Sequence, residues 1–168
     1  PKAIQPGDKP AYSGTGIFPP DHPAVKLIKD AIKAEAQAKW PKDWQQVMEF
    51  LERKDKLCLH NGNDKAQFAG FAGNLYVSAR NPQRPAVRDA DGKTPLTAED
   101  GRIYSGARIH MILEIWAQDH AQHGKRVNAS LVGVQFFRDA DRFGGGGGAA
   151  TDDDFEDYST SSDDDYDF

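Results

Sequence analysis

The stretch YSGARIHMILEIWAQ, residues 104–118, decides the fold because its apolar residues recur with a period of two. From residue 107 onward the odd positions are all apolar, namely Ala107, Ile109, Met111, Leu113, Ile115 and Ala117. The even positions are mixed, namely Tyr104, Arg108, His110, Ile112, Glu114, Trp116 and Gln118. Successive side chains of a β-strand point to opposite faces, so the pattern predicts a long strand with one core face and one outer face.

Two other stretches are strand candidates. AYSGTGIF, residues 11–18, is bounded by prolines, and FAGNLYVSAR, residues 71–80, again places apolar residues at odd positions. Tyr76 and Arg80 are therefore expected on the face that points away from the core.

The stretch KRVNASLVGVQFF, residues 125–137, begins in the same phase but loses it at Gly133. A bulge or bend at this glycine would suit a strand that curls within a small barrel.

Between the first strand and the second, the period changes to that of a helix. DHPAVKLIKDAIKAEAQAKW predicts a helix with Asp21 as its cap and Pro41 as its end, and DWQQVMEFLERK predicts another. The two form a predicted α-helical hairpin at about 21–54, with Trp40 and Trp44 as packing residues.

These elements predict a mainly β fold: a small five-stranded barrel of the OB-fold type, partly open, with an inserted α-helical hairpin. The predicted domain is 1–143, including a long polar connection at 81–102. A flat α+β sandwich is the alternative.

Charge is distributed unevenly along the chain. Nine of the 26 acidic residues lie in 152–168 without any Lys or Arg, which leaves 17 acids against all 21 basic residues elsewhere, an excess of four positive charges. Residues 144–151 are a predicted Gly-rich linker, and 152–168 a predicted disordered acidic tail. The single Cys58 suits a reducing cytoplasm, and no apolar run suggests a membrane span.

Arginines and aromatic residues alternate on the predicted outer faces and in the long connection. Bases stack on rings and guanidinium groups neutralise phosphates, so such a face favours single-stranded DNA, whose base faces are free. The candidate nucleic-acid-binding residues are Tyr76, Arg80, Arg84, Arg88, Arg102, Tyr104, Arg108, His110, Trp116, Lys125 and Arg126. In the alternative, Trp116 and Tyr76 cover a second small core under the helical hairpin.

The tail ends in an aromatic residue whose ring adjoins the terminal carboxylate. A partner pocket with an apolar floor and a basic rim would capture such an end. The candidate partner-binding residues are Asp163, Asp164, Asp165, Tyr166, Asp167 and Phe168. A flexible acidic arm could also compete with DNA for a basic groove.

Other chemistries have weaker support. His120 and His123 lack a third ligand for zinc, and Lys93 replaces an oxygen ligand in the calcium-like stretch DADGK. A metal-dependent nuclease using Asp89, Asp91 and His110 is a third hypothesis. We expect no catalysis, no metal and no cofactor.

The tail resembles the acidic, Phe-terminated ends of bacterial and phage single-stranded DNA-binding proteins. Over most of residues 11–145 the body is similar to a family of phage-encoded OB-fold single-stranded DNA-binding proteins. The likeness is carried by AYSGTGIFPPDHP, NLYVSARNPQRPAVRDADGK, IYSGARIHMILEIWAQ and NASLVGVQFFRDADRFGGG. It implies an OB-fold, sequence-independent binding, and an additional N-terminal strand before PKAI.

The leading hypothesis is a protein that coats single-stranded DNA during phage DNA replication or recombination, in the cytoplasm of the infected bacterial host cell. The tail would recruit replication or recombination proteins, and a homo-oligomer is left open. The alternative is a DNA mimic or protein-interaction module that acts through the acidic tail.

Overall fold

The computed structural model describes residues 10–143. The linker, the acidic tail and its terminal Phe168 lie outside the described residues, as does the region in which an additional N-terminal strand was expected.

Six strands and two α-helices follow one another along residues 10–143, with a short 3-10 helix at Gly62–Lys65. Their bounds are β1 Tyr12–Phe18, α1 Pro23–Lys39, α2 Trp44–Arg53, β2 Leu59–Asn61, β3 Leu75–Asn81, β4 Ala86–Arg88, β5 Arg108–His120 and β6 Gly124–Arg138.

The two helices form the predicted hairpin. Nδ1 of His22 accepts a hydrogen bond from the backbone N–H of Ala24, so His22 caps α1 and the predicted cap Asp21 is wrong by one residue. Pro23 suits the first helical position because it has no N–H to satisfy. The helix ends at Trp40 because the next residue is Pro41, which disfavours helical backbone before it.

The first sheet has the strand order β1-β3-β2, and both pairings are antiparallel. Ile17 and His60 lie on either side of Tyr76 in this register. Because successive residues of a strand point to opposite faces, the side chain of Tyr76 points away from that of Val77, which is fully buried in the core.

The second sheet has the order β4-β6-β5, in which β4 is parallel and β5 antiparallel to β6. Ile112 pairs with Gly133 and Leu113 with Leu131, which leaves Val132 as the extra residue of a bulge. The buried positions change phase across it, from Leu131 to Val134. The predicted irregularity at Gly133 is confirmed.

The core lies where the helical hairpin meets both sheets. Ile32 from α1, Leu51 from α2, Val77 from β3 and Val127 from β6 are its most deeply buried large side chains. Trp40 is also buried, which confirms its predicted packing role.

The mainly β fold with a helical hairpin is confirmed, but the described residues contain six strands rather than five. The four long strands match the four candidate stretches, whereas β2 and β4 have three residues each, too few to show a period. Within residues 10–143 the strands form two separate sheets and no closed barrel. Neither helix of this part of the chain is long and apolar enough to cross a membrane.

Candidate nucleic-acid interface

The outer side of the long β5–β6 pair carries exposed apolar side chains. Ile112 is 63% exposed, Trp116 39%, Val132 41% and Phe137 51%. We call this surface the β5–β6 face, defined by Arg108, His110, Ile112, Trp116, Val132 and Phe137. Large apolar side chains clustered in water are typical of a surface that a ligand covers.

The alternation of β5 explains why these side chains point outward. Its odd residues from Ile109 to Ala117 are half-buried and pack against the core, whereas its even residues from Arg108 to Trp116 are exposed. The bulge adds to this face: a Cβ atom at Gly133 would lie only 3.1 Å from Cδ1 of Ile112. The glycine therefore lets Ile112 lie across β6.

Two groups of rings on this face are held in place. Nε1 of Trp116 donates a hydrogen bond of 3.0 Å to Oγ of Ser130, which restrains the indole. The ring centroids of His110 and Phe137 are 5.0 Å apart, and the guanidinium of Arg138 lies 5.3 Å from the Phe137 centroid. An exposed aromatic ring, that of Phe137, and a positive charge, that of Arg138, therefore lie side by side on this surface.

The charges around the face favour an anionic ligand. Arg108 pairs with Arg138 across the strands, so two cationic residues lie side by side at one end of the face. Arg88 on the parallel strand β4 pairs with Gln135, next to the same end. Glu114 is the one acidic residue among the outward positions of β5 from Arg108 to Gln118.

Tyr76 and Arg80 lie on the other sheet, and Tyr76 is only 4% exposed. His60 stacks on its ring at 4.9 Å, the Phe71 centroid lies 5.0 Å away, and Nζ of Lys65 lies 4.7 Å from its centroid. The expectation that Tyr76 is exposed was wrong. It belongs to a second small cluster, which residues 60–71 cover rather than the helical hairpin.

Three further candidate residues contact other parts of the protein. Arg84 donates to the Leu96 carbonyl at 3.3 Å, and Arg102 donates to Asp89 at 3.0 Å. The hydroxyl of Tyr104 lies 2.9 Å from both Oδ1 of Asp139 and the Ala140 carbonyl oxygen, and it accepts from the Ala140 N–H. Their binding of nucleic acid stays a prediction.

Lys125 and Arg126 lie at the start of β6, close to the helical hairpin. Nζ of Lys125 is 5.4 Å from the Trp40 ring centroid and 3.9 Å from Oδ2 of Asp43. Nε1 of Trp40 donates to Asp119 at 3.1 Å, so this corner fixes the β5–β6 pair to the helices. Arg126 is exposed opposite Gln118.

The arrangement of His, Cys, Asp and Glu side chains decides whether a metal ion could bind. Among residues 10–143, no three or more His, Cys, Asp or Glu side chains are placed to hold a metal ion. Asp89 is paired with Arg102, and hydrogen bonds from Thr94 and from the backbone of Lys93 lower the pKa of Asp91. The carboxylate of Asp91 thus closes a turn.

A family model described as Enterobacter phage Enc34, ssDNA-binding protein, matches residues 1–167. The chain belongs to this family. Protein p50 of Acyrthosiphon pisum secondary endosymbiont phage 1 is 43% identical over 123 residues, which are 72% of this chain and 65% of that relative's length. The chain thus spans just under two thirds of that relative.

Two solved structures are similar to this member of the Enc34 family. The single-stranded DNA-binding protein from bacteriophage Enc34 in complex with ssDNA has a TM-score of 0.69 and 25% identity, covering 86% of this chain and 80% of that one. The gp2.5 single-stranded DNA-binding protein of bacteriophage T7 shares the fold at a TM-score of 0.52 and 16% identity, covering 93% and 84%.

The sequence reasoning missed part of the β5–β6 face of this Enc34-family chain. Its members Ile112, Val132 and Phe137, and the neighbouring Arg138, were not among the candidates, although Arg108, His110 and Trp116 were. The available signal was the phase change at Gly133. If the alternation is continued from Gly133 with its phase shifted by one residue, Phe136 points inward and Phe137 outward, and the structure places both rings in this way.

Proposed function

We propose that this protein binds single-stranded DNA without sequence preference through the β5–β6 face. The observation that carries the proposal is the set of exposed rings beside arginines on one strand pair. Membership of a family described by ssDNA binding supports it, as does the similarity to a protein solved in complex with ssDNA.

The chemistry of the face fits the two parts of a nucleotide. Bases stack on aromatic side chains at about 1–3 kcal/mol each, and every base has a π-face, so the contact tolerates any sequence. Trp116 and Phe137 supply such rings, and Arg108 and Arg138 can neutralise phosphates beside them. A duplex hides its base faces, so we expect single strands to be preferred.

We also propose that the two sheets make up a partly open barrel of the OB-fold type. Two observations support it: β4 pairs with β6 in parallel, and β3 of the first sheet contacts β6 of the second. The helical hairpin is then an insertion between β1 and β2 in chain order.

Replacement of Trp116 by Ala tests the binding surface. The variant should bind labelled oligo-dT about 1–3 kcal/mol more weakly than the wild type, because one stacking surface is lost. Fluorescence polarisation at two salt concentrations measures it. Affinity should fall as salt rises, and Arg108→Gln should reduce the log–log salt slope by about 0.7 for one lost phosphate contact.

Phe50→Ala is the matched control. Phe50 lies on α2, away from the β5–β6 face, and is 39% exposed, the same fraction as Trp116. The Phe50→Ala variant should bind oligo-dT with the same affinity as the wild type. Equal losses in both variants, or no loss at Trp116→Ala, would contradict the proposed surface.

For the acidic tail we propose two roles, competition with DNA for this basic surface and recruitment of replication or recombination proteins through Phe168. The charge contrast supports the first role, since the tail carries nine acids and the remainder an excess of four positive charges. The aromatic residue at its end supports the second.

A further inference from the structure

A second group of exposed aromatic residues comes from segments outside the β5–β6 face. Phe68 is 56% exposed and Phe143 39% exposed, and Phe71 is half-buried beside them. Lys65 of the short 3-10 helix supplies a cation. We call Lys65, Phe68, Phe71 and Phe143 the aromatic patch.

The patch is built from two segments that contact each other. The ring of Phe143 lies against Gly70, where an added Cβ would lie 2.7 Å from Cζ of the ring. Gly70 has φ of +85°, a conformation that other residues rarely adopt. Its carbonyl accepts a hydrogen bond of 2.8 Å from Asn74, which fixes the loop in position to receive Phe143.

The cation of the patch is positioned by rings. Nζ of Lys65 lies 5.8 Å from the Phe71 centroid and 4.7 Å from that of Tyr76, within the range of cation–π attraction. Phe68 and Phe71 meet edge to face at 6.3 Å. Phe68 keeps much of its ring in water, and the ring that it contacts, Phe71, is the one beside the Lys65 cation.

We propose that the aromatic patch is a second nucleotide-binding site for the same DNA strand, with a base on Phe68 and a phosphate at Lys65. The inference rests on the proposed function of the β5–β6 face. A nucleotide can use the exposed ring for its base and the Lys65 cation for its phosphate. An apolar peptide would use only the ring, and a simple anion would use only the cation.

The chain itself connects the two surfaces. Phe137 of the β5–β6 face is six residues from Phe143, a distance of at most about 20 Å along an extended chain. This segment is tied down, since Tyr104 binds Asp139 and Ala140, and the Phe143 N–H donates to the Ser105 carbonyl at 2.9 Å. Single-strand binders of this kind cover about 4–16 nucleotides, so one strand can reach both.

Oligo-dT of two lengths tests the proposal on the full chain. Phe68→Ala should weaken binding of a strand of about 30 nucleotides by about 5- to 100-fold, and leave binding of a strand of about 5 nucleotides nearly unchanged. Lys65→Gln should lower the salt slope for the long strand by about 0.7. Phe50→Ala, again the exposed control, should change neither.

Photo-crosslinking of wild-type protein to oligo-dT carrying 5-iodouracil separates this inference from the proposed function. Adducts on both peptides 62–74 and 108–138 are expected. Adducts on 108–138 alone, with Phe68→Ala binding normally, would overturn the second site and leave the first. Absence of adducts from both would overturn the proposed function as well. If Phe68→Ala binds DNA normally but has a different sedimentation coefficient from the wild type, the patch would contact a second copy of the chain, and the proposal would be overturned.

Discussion

At the scale of single residues, neighbours in space decide which side chains are available to a ligand. Tyr104 occupies an outward position in the sequence pattern, yet its hydroxyl binds Asp139 and Ala140, and Arg142 covers its ring at 4.2 Å. Trp116 occupies an equivalent position and stays 39% exposed. The difference arises from residues 139–142, which are distant in sequence from both.

Cys58 provides a test of burial at this scale. Burial raises the pKa of its thiol from 9.0 to about 11, because the thiolate would lose its hydration. The unfolded chain releases this proton above about pH 8.5, so the thiol's contribution to stability is present below that pH and is lost as pH rises towards 11.

We therefore expect the native protein to react slowly with a thiol reagent at pH 8 and rapidly after unfolding. Urea unfolding between pH 8 and 11 should show a steeper loss of stability in the wild type than in Cys58→Ala. A native thiol that reacts as fast as free cysteine, or identical pH profiles, would contradict the burial.

At the scale of elements, the bulge at Val132 determines which residues of β6 point into the core. Leu131 and Val134 are both buried although they are three positions apart, an odd spacing, because Val132 has no partner of its own on β5. Without the extra residue, Val134 and Phe136 would turn outward.

Deletion of Val132 should therefore cost several kcal/mol of unfolding free energy, since two buried side chains would lose their positions. Val132→Thr, which keeps the residue count at a position 41% exposed, should cost about 0.5 kcal/mol or less. Thermal unfolding of the deletion variant, of Val132→Thr and of the wild type compares their stabilities. A deletion variant as stable as Val132→Thr would show that the bulge is dispensable.

The sequence predicted the elements best where one face is buried over many residues. The period of β5 and of α1 was read correctly for this reason, whereas the three-residue strand β2 and the cap at His22 have no repeating signal. The curl of β6 was predicted at Gly133, because a broken phase is itself visible in the residue order.

The candidate site was only partly predictable for a related reason. Arg108, His110 and Trp116 follow from the phase of β5, but no periodic pattern in residues 60–71 indicates that they cover Tyr76. Arg84 and Arg102 lie in a connection without any period, where their contacts with Leu96 and Asp89 depend on the fold of the loop.

At the scale of the whole molecule, the contrast between body and tail predicts an effect of truncation. Removal of residues 144–168 takes away nine acidic residues and no basic ones. If the tail competes with DNA, the truncated protein should bind oligo-dT more tightly than the full chain, most clearly at low salt, where the Debye length is long.

Binding of oligo-dT by the full chain and its truncation side by side measures this effect. Equal affinities would contradict competition by the tail. If neither protein binds oligo-dT, the acidic arm itself would be the active part, which is the DNA-mimic hypothesis.

The location of the binding surface is tested most directly by tryptophan fluorescence. The chain has three tryptophans, of which Trp40 is buried and Trp116 lies exposed on the β5–β6 face. We expect oligo-dT to quench the wild-type emission, and the quenching to be largely lost in Trp116→Phe, while polarisation shows that this variant still binds because phenylalanine also stacks. Unchanged quenching in Trp116→Phe would contradict the account, since the bases would then stack elsewhere.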